Sequence, residues 1–211
     1  MIISLPWWCI YAPPVRKNHP SHSALGRHTI HLTSASKEKL EMTHQLAARQ
    51  HQLVATITIN DTTENVWSVL KDFDHVYTWA PSVEASYGLN EQQHEVGAGR
   101  YCKLKGFGEI KEYILAWDEG RGFVYDVTPL GPLHNAISRW KIIPVNERLC
   151  QLEVSFKYDI RFGLLGRLMH ALVMRKKLET SLPDTLSALK LRVETGKLCR
   201  PLLPAVAKSF A

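Results

Sequence analysis

Residues 151–160 read Gln-Leu-Glu-Val-Ser-Phe-Lys-Tyr-Asp-Ile, and Arg161-Phe162-Gly163-Leu164-Leu165-Gly166 follow at once. In the first stretch Leu152, Val154, Phe156, Tyr158 and Ile160 alternate with Gln151, Glu153, Ser155, Lys157 and Asp159. A period of two marks a half-buried β-strand. After Gly163 the period changes. Leu164, Leu168, Ala171, Leu172, Leu178, Leu182, Leu186, Leu189 and Val193 recur mostly at steps of three and four, the spacing of one helix face. About 31 residues at about 1.5 Å each give a helix of roughly 46 Å. Pro183 lacks an N–H and crowds the preceding turn, so a kink or a break near Glu179 is expected. Gly196 is expected to end the helix. A clean strand handing over to one long helix implies a sheet with an apolar face that a helix covers.

Upstream the signals are those of an antiparallel meander. Leu53, Ala55, Ile57 and Ile59 alternate as a first strand, and Asp61-Thr62-Thr63-Glu64 offers a helix cap. A short helix through about Lys71 is expected to bury Val66, Trp67, Val69 and Leu70. A second turn carries Val76, Tyr77 and Trp79 up to Pro81. From Val83 to Ile160 strands and turns alternate every 8–12 residues or so. Val83, Ala85, Tyr87 and Leu89 are expected to share one face. Gly106-Phe107-Gly108 reads as a three-residue hairpin loop, and Pro144 is expected to end the strand from Ile137.

Composition is that of an ordinary globular protein: 211 residues, 45% hydrophobic and 22% charged, with a net charge of +6. The excess charge lies at the ends. Residues 1–41 hold five basic and two acidic residues, 197–211 hold three basic residues and no acid, and 42–196 balance to zero. A neutral domain is a poor counterion-release binder, so no nucleic-acid partner is expected. No stretch of about 18 apolar residues suggests a membrane span. Cys9, Cys102, Cys150 and Cys199 make no CxxC pair. Reduced thiols, a cytoplasmic location and no metal site follow as expectations.

Residues 1–41 lack regular periodicity and are expected to be a disordered extension, or translated leader ahead of a start at Met42. Lys37-Glu38-Lys39 can be encoded by a ribosome-binding-like purine run just before that methionine. The alternative is a membrane-touching anchor built on Trp7 and Trp8. A domain over 42–196 and a flexible basic tail over 197–211 complete the expected organisation.

Several short motifs occur in a telling order: Val66-Trp67, Asp72-Phe73, Trp79-Ala80-Pro81, Val96 to Arg100, Glu112-x-Ile114 with Asp118, Phe123-x-Tyr125, Phe162 to Gly166 and Leu186 to Lys190. Together they resemble the polyketide cyclase/dehydrase and lipid-transport family of the SRPBCC, or START-like, superfamily over about residues 52–195. The resemblance implies an α+β helix-grip (START-like) fold. A curved antiparallel sheet of six to seven strands would surround a long C-terminal helix, with two short helices after the first strand. It also implies an apolar cavity between sheet and helix that takes a lipid, polyketide or quinone-like molecule.

Within that frame Arg100 and Glu112 stand out. With Lys105 paired to Glu109, Arg100 would lie opposite Ile114 and Glu112 would be its diagonal neighbour. Both would share the face of Cys102, Leu104, Ile110 and Ala116. Charges on an apolar face are costly unless paired, so the two are either a polar anchor for a ligand or a structural ion pair. Tyr125, Trp140 and Tyr158 are candidate ligand-facing aromatics, as is Trp79, or else plain core. His134, in the loop from Leu130 to Asn135, is a candidate at the cavity mouth, and Leu168 and Leu172 would face the cavity from the helix. The basic run Arg167 to Lys177 is either a membrane contact or a solvated face. Gly-x-Ser-x-Gly and His-Glu-x-x-His are absent, and Gly97-Ala98-Gly99 leads into a strand rather than a helix. The leading expectation is a non-enzymatic binder or carrier of a small hydrophobic ligand with no cofactor. A cyclase or dehydrase working through Arg100 and Glu112 is the second, and a membrane-associated quinone binder the third. A cavity of roughly 300–1,000 Å³ is expected.

Overall fold

In the computed structural model, described here over residues 51–200, a first strand β1 (His51–Ile59) leads into helix α1 (Thr63–Leu70). The Thr62 hydroxyl caps α1 by accepting from the Asn65 amide at 3.2 Å. A 3₁₀ turn over Phe73–Thr78 follows. Then come β2 (Val83–Gly88), β3 (Gly99–Leu104), β4 (Gly108–Asp118), β5 (Gly122–Val127), β6 (Leu133–Asn146) and β7 (Leu149–Ile160). The C-terminal helix begins as α2 (Gly163–Met169), passes through a π turn at His170–Met174 and continues as α3 (Arg175–Thr195). The seven strands form one curved antiparallel sheet in the order β1-β7-β6-β5-β4-β3-β2. This is the α+β helix-grip architecture.

The core fills the concave face. Trp67 meets Trp117 edge-on at 4.7 Å, and Phe73 packs against Phe123 at 5.8 Å. From α3, Leu186 and Leu189 are fully buried against this layer. The end of α3 is pinned to the end of β1: Glu194 Oε1 accepts from the Asn60 amide at 2.6 Å, and Lys190 Nζ donates to the Thr58 carbonyl at 2.6 Å.

Four expectations need correction. The β3–β4 loop is Lys105-Gly106-Phe107, with Leu104 paired to Gly108, so Arg100 lies directly opposite Glu112 instead of Ile114. Gly106, at φ 70°, supplies the left-handed turn residue. Bulges between Val83 and Ala85 and between Ile114 and Ala116 reverse the alternation beyond them. Tyr87 is consequently exposed and stacks on Tyr101, and Ala116 packs with Val124 and Ile137 rather than with the main core. Strand β6 begins earlier, at Leu133, and runs through Pro144 to Asn146, where an irregular register accommodates the missing N–H. Finally, α3 is unbroken at Pro183. Both Pro183 and Glu179 are exposed, so water can take the carbonyl that the proline leaves unbonded. The irregular turn sits instead at His170–Met174, where buried His170 is accommodated.

The first residues of the expected flexible tail are held. The Cys199 amide donates to the Thr78 carbonyl at 2.7 Å. The Arg200 guanidinium donates to the carbonyls of Val83, Tyr77 and, at 3.1 Å, Pro81. These bonds clamp the 3₁₀ turn to the start of β2. Arg200→Ala is expected to cost about 1–2 kcal/mol, since bonds from a charged donor are the stronger kind. In a domain of this size that is a fall in Tm of about 2–8 °C in a calorimetric scan. An unchanged Tm would mean that the clamp carries no stability.

Candidate functional site

Between the concave face and α3 lies a cavity of about 180 Å³, partly open to solvent. Its wall is apolar apart from a few groups. Trp79, Phe123, Trp140, Leu178 and Leu182 supply hydrocarbon, and Arg100, Glu112, Cys102, Tyr125 and Ser138 supply polarity. It is smaller than the sequence led us to expect, because the aromatic side chains of β5 and β6 fill much of the space.

Arg100 and Glu112 are each only 6% exposed, on paired positions of β3 and β4. Arg100 Nε donates to Glu112 Oε2 at 2.5 Å, and Nη1 donates to the Phe73 carbonyl at 2.8 Å. The guanidinium carbon lies 3.8 Å from the Phe73 ring centre and 5.3 Å from that of Tyr125. Burial opposes the charge on Arg100, but Glu112, joined by Cys102 and Tyr125, outweighs that and holds its pKa above the ordinary arginine value. Glu112 Oε2 also accepts from the Cys102 thiol at 3.5 Å. Its Oε1 and Arg100 Nη2 have no hydrogen-bond partner among the described residues.

Tyr125 and Trp140 stand beside this pair. Trp140 Nε1 donates to Ser138 Oγ at 3.0 Å and to Tyr125 Oη at 3.3 Å. Burial, then the negative charge of Glu112, push the Tyr125 phenol up, and the same two causes push up the Cys102 thiol. Both groups therefore stay protonated near neutrality, and Tyr125 keeps a proton to donate.

Of the candidate residues, the structure brings Arg100, Glu112, Tyr125, Trp140 and Trp79 together on one cavity wall. Four lie elsewhere. His134 sits in β6 opposite Asp159, away from the wall. Leu168 and Leu172 are 54% and 70% exposed; Leu178 and Leu182 line the cavity in their place. Tyr158 is fully buried but off the cavity, with its hydroxyl 2.8 Å from His170 Nε2. Phe73 and Ser138 were missed. Ser138 was legible only through register, as the residue opposite Tyr125, and the Phe73 carbonyl left no sequence signal. Among the described residues no cluster of His, Cys, Asp and Glu is arranged to hold a metal ion.

Residues 50–194 match the family "Polyketide cyclase / dehydrase and lipid transport". The chain belongs to this family. No curated protein matches it. Solved structures share its fold at low identity. A START superfamily protein from Mycobacterium smegmatis is 16% identical over 70% of this chain and 99% of its own, with a TM-score of 0.56. The Zhui aromatase/cyclase from Streptomyces sp. R1128 is 17% identical over 69% and 97%, at 0.55. A Thalictrum norcoclaurine synthase, solved with a transition-state analogue, is 14% identical over 69% and 96%, at 0.53. At these identities the likeness extends to the fold alone.

The Tyr158–His170 pair makes a separate titrating cluster. His51 stacks on Tyr158 at 5.4 Å and lies 4.9 Å from the His170 ring, and Arg175 and Glu179 also face it. Burial, then His51 and Arg175, hold His170 below the usual histidine value, and Glu179 opposes them. The unfolded chain thus binds this proton more readily, and stability falls as pH drops through about 6.5. His170→Gln is expected to lose less Tm than the native protein between about pH 7 and about pH 5. Equal losses would show that His170 contributes nothing to the acid response.

Proposed function

We propose that the protein binds a small, largely apolar ligand whose neutral polar head, a carbonyl or phenol, seats against Arg100 and Glu112. The observation that carries this reading is the buried ion pair on the wall of an otherwise apolar cavity. A charge pair is costly in such a place, and Nη2 and Oε1, which have no partner among the described residues, offer a donor and an acceptor to the same guest. Because the two charges already cancel, a neutral head adds hydrogen bonds without unbalancing the site. An apolar engineered cavity of about 150 Å³ takes a benzene ring, so the volume suits one ring with the rest of the guest reaching outward.

Proton transfer by Glu112 to or from a bound carbonyl compound is a second reading, and the observation that favours it is the same open Oε1. Native mass spectrometry of protein purified from its own host separates the two. Retained ligand of unchanged mass supports binding, and conversion of that ligand to a new mass supports catalysis.

Removing one partner alone leaves a buried unpaired charge and is expected to cost about 3–5 kcal/mol of stability. The double variant Arg100→Met/Glu112→Leu should recover most of that loss. It should bind a para-substituted phenol at least about tenfold more weakly, the equivalent of one strong hydrogen bond. The deoxy analogue should bind it as well as it binds the native protein. Quenching of tryptophan fluorescence reads both affinities. A double variant that keeps its affinity for the phenol would show that the pair is only structural.

A further inference from the structure

Apart from His170 and Met174, the segment between β7 and α3 presents its large side chains outside the core and the cavity. Leu164 is 84% exposed, and Leu165, Leu168, Leu172 and Val173 are all more than half exposed. Gly166 and His170 form its only buried face, where Gly166 sits against the Arg161 carbonyl with no room for a Cβ. Phe162, also exposed, is held at a left-handed φ of 70° that bulky residues avoid. So large a contiguous apolar surface on a helix marks a docking face.

Charge says what docks there. From Arg161 to Leu178 there are five basic residues and no acid. Arg175 is engaged by Glu179 at 2.7 Å, whereas Arg167 and Lys176 project from exposed positions among the leucines. A second copy would bring the same cations face to face, which like-charge repulsion disfavours. Residues 1–41 also carry more basic than acidic residues. An anionic surface that accepts apolar side chains fits both features. The segment is also tied to the turns at one end of the cavity. Lys177 Nζ donates to the Gly106 carbonyl at 3.0 Å, and Arg161 Nε donates to the Gly131 carbonyl at 2.9 Å; Phe107 and Leu130, beside them, line the cavity.

We propose that Phe162–Lys177 docks on an anionic lipid bilayer, its leucines entering the interface and its cations meeting the headgroups, with one end of the cavity held at that surface. The docking stands on the exposed segment and does not depend on what the cavity binds.

The test is co-sedimentation of the full chain with vesicles of about three parts phosphatidylcholine to one part phosphatidylserine, and with phosphatidylcholine alone. Binding is expected to the first, at least about tenfold tighter than to the second, and to weaken near 1 M salt, where screening reaches about 3 Å. Leu168→Asp/Leu172→Asp should bind at least about tenfold more weakly with an unchanged melting curve, since both positions are exposed. Arg167→Glu/Lys176→Glu should remove the preference for phosphatidylserine. The proposal is overturned by absence of binding to either vesicle, by equal binding to both, or by binding that survives Leu168→Asp/Leu172→Asp, which would place the contact elsewhere in the chain. It is equally overturned if ultracentrifugation shows a dimer that this variant dissolves, because the face would then belong to a second copy.

Discussion

The buried contact between Arg100 and Glu112 sets the terms for everything around it. Two opposite charges on an apolar face are costly, and they demand polar partners and surroundings that favour the cation. The Phe73 carbonyl and the rings of Phe73 and Tyr125 meet that demand from one side. In doing so they fix the 3₁₀ turn over the sheet. That turn presents Trp79 to Trp140 at 6.3 Å and carries the carbonyls that Cys199 and Arg200 grip. One ion pair therefore links β3, β4, β5, the 3₁₀ turn and the residues after α3, which is why the polar spot and the aromatic wall occur in the same place.

The cavity is the counterpart of incomplete cover. A single helix cannot reach all of a seven-stranded concave face. Leu186 and Leu189 close one part, with Glu194 and Lys190 latching the helix end to β1. Further back along α3, Leu178 and Leu182 are only partly buried, pack at the edge of the core and line the cavity. Before the π turn only Gly166 packs on the end of β7, and Leu164, Leu165 and Leu168 are exposed. Cover, cavity and exposed segment are thus three consecutive stretches of one helix, and burial falls from each to the next.

The order of strands, turns and helix was legible because periods of two and of three to four are dictated by burial itself. Arg100 and Glu112 were assigned to the right face even though their register was off by two residues, since a slip of two preserves the face and changes only the partner. Ala116 and Tyr87 were misplaced because a bulge inserts one residue and reverses everything beyond it, and neither bulge leaves a glycine or proline at the spot. Leu168 and Leu172 have the helical spacing of a buried face yet bury nothing. Periodicity reports that a helix has a side, and only the tertiary fold says whether anything lies across from it.

The chemistry of the site follows from which protons are fixed. Glu112 holds Arg100 charged against the cost of burial, and burial keeps Tyr125 and Cys102 neutral. Near neutral pH these three therefore present a constant pattern: a cation, a phenol donor and an un-ionised thiol. A guest recognised by that pattern is selected by hydrogen-bond geometry and shape rather than by its own charge. An anionic head would have to compete with Glu112 for the same guanidinium. A neutral oxygen can accept from Nη2 and from Tyr125 while the Arg100–Glu112 bond stays in place. The pair's internal balance is what tilts the proposed ligand class away from carboxylates and toward carbonyls and phenols.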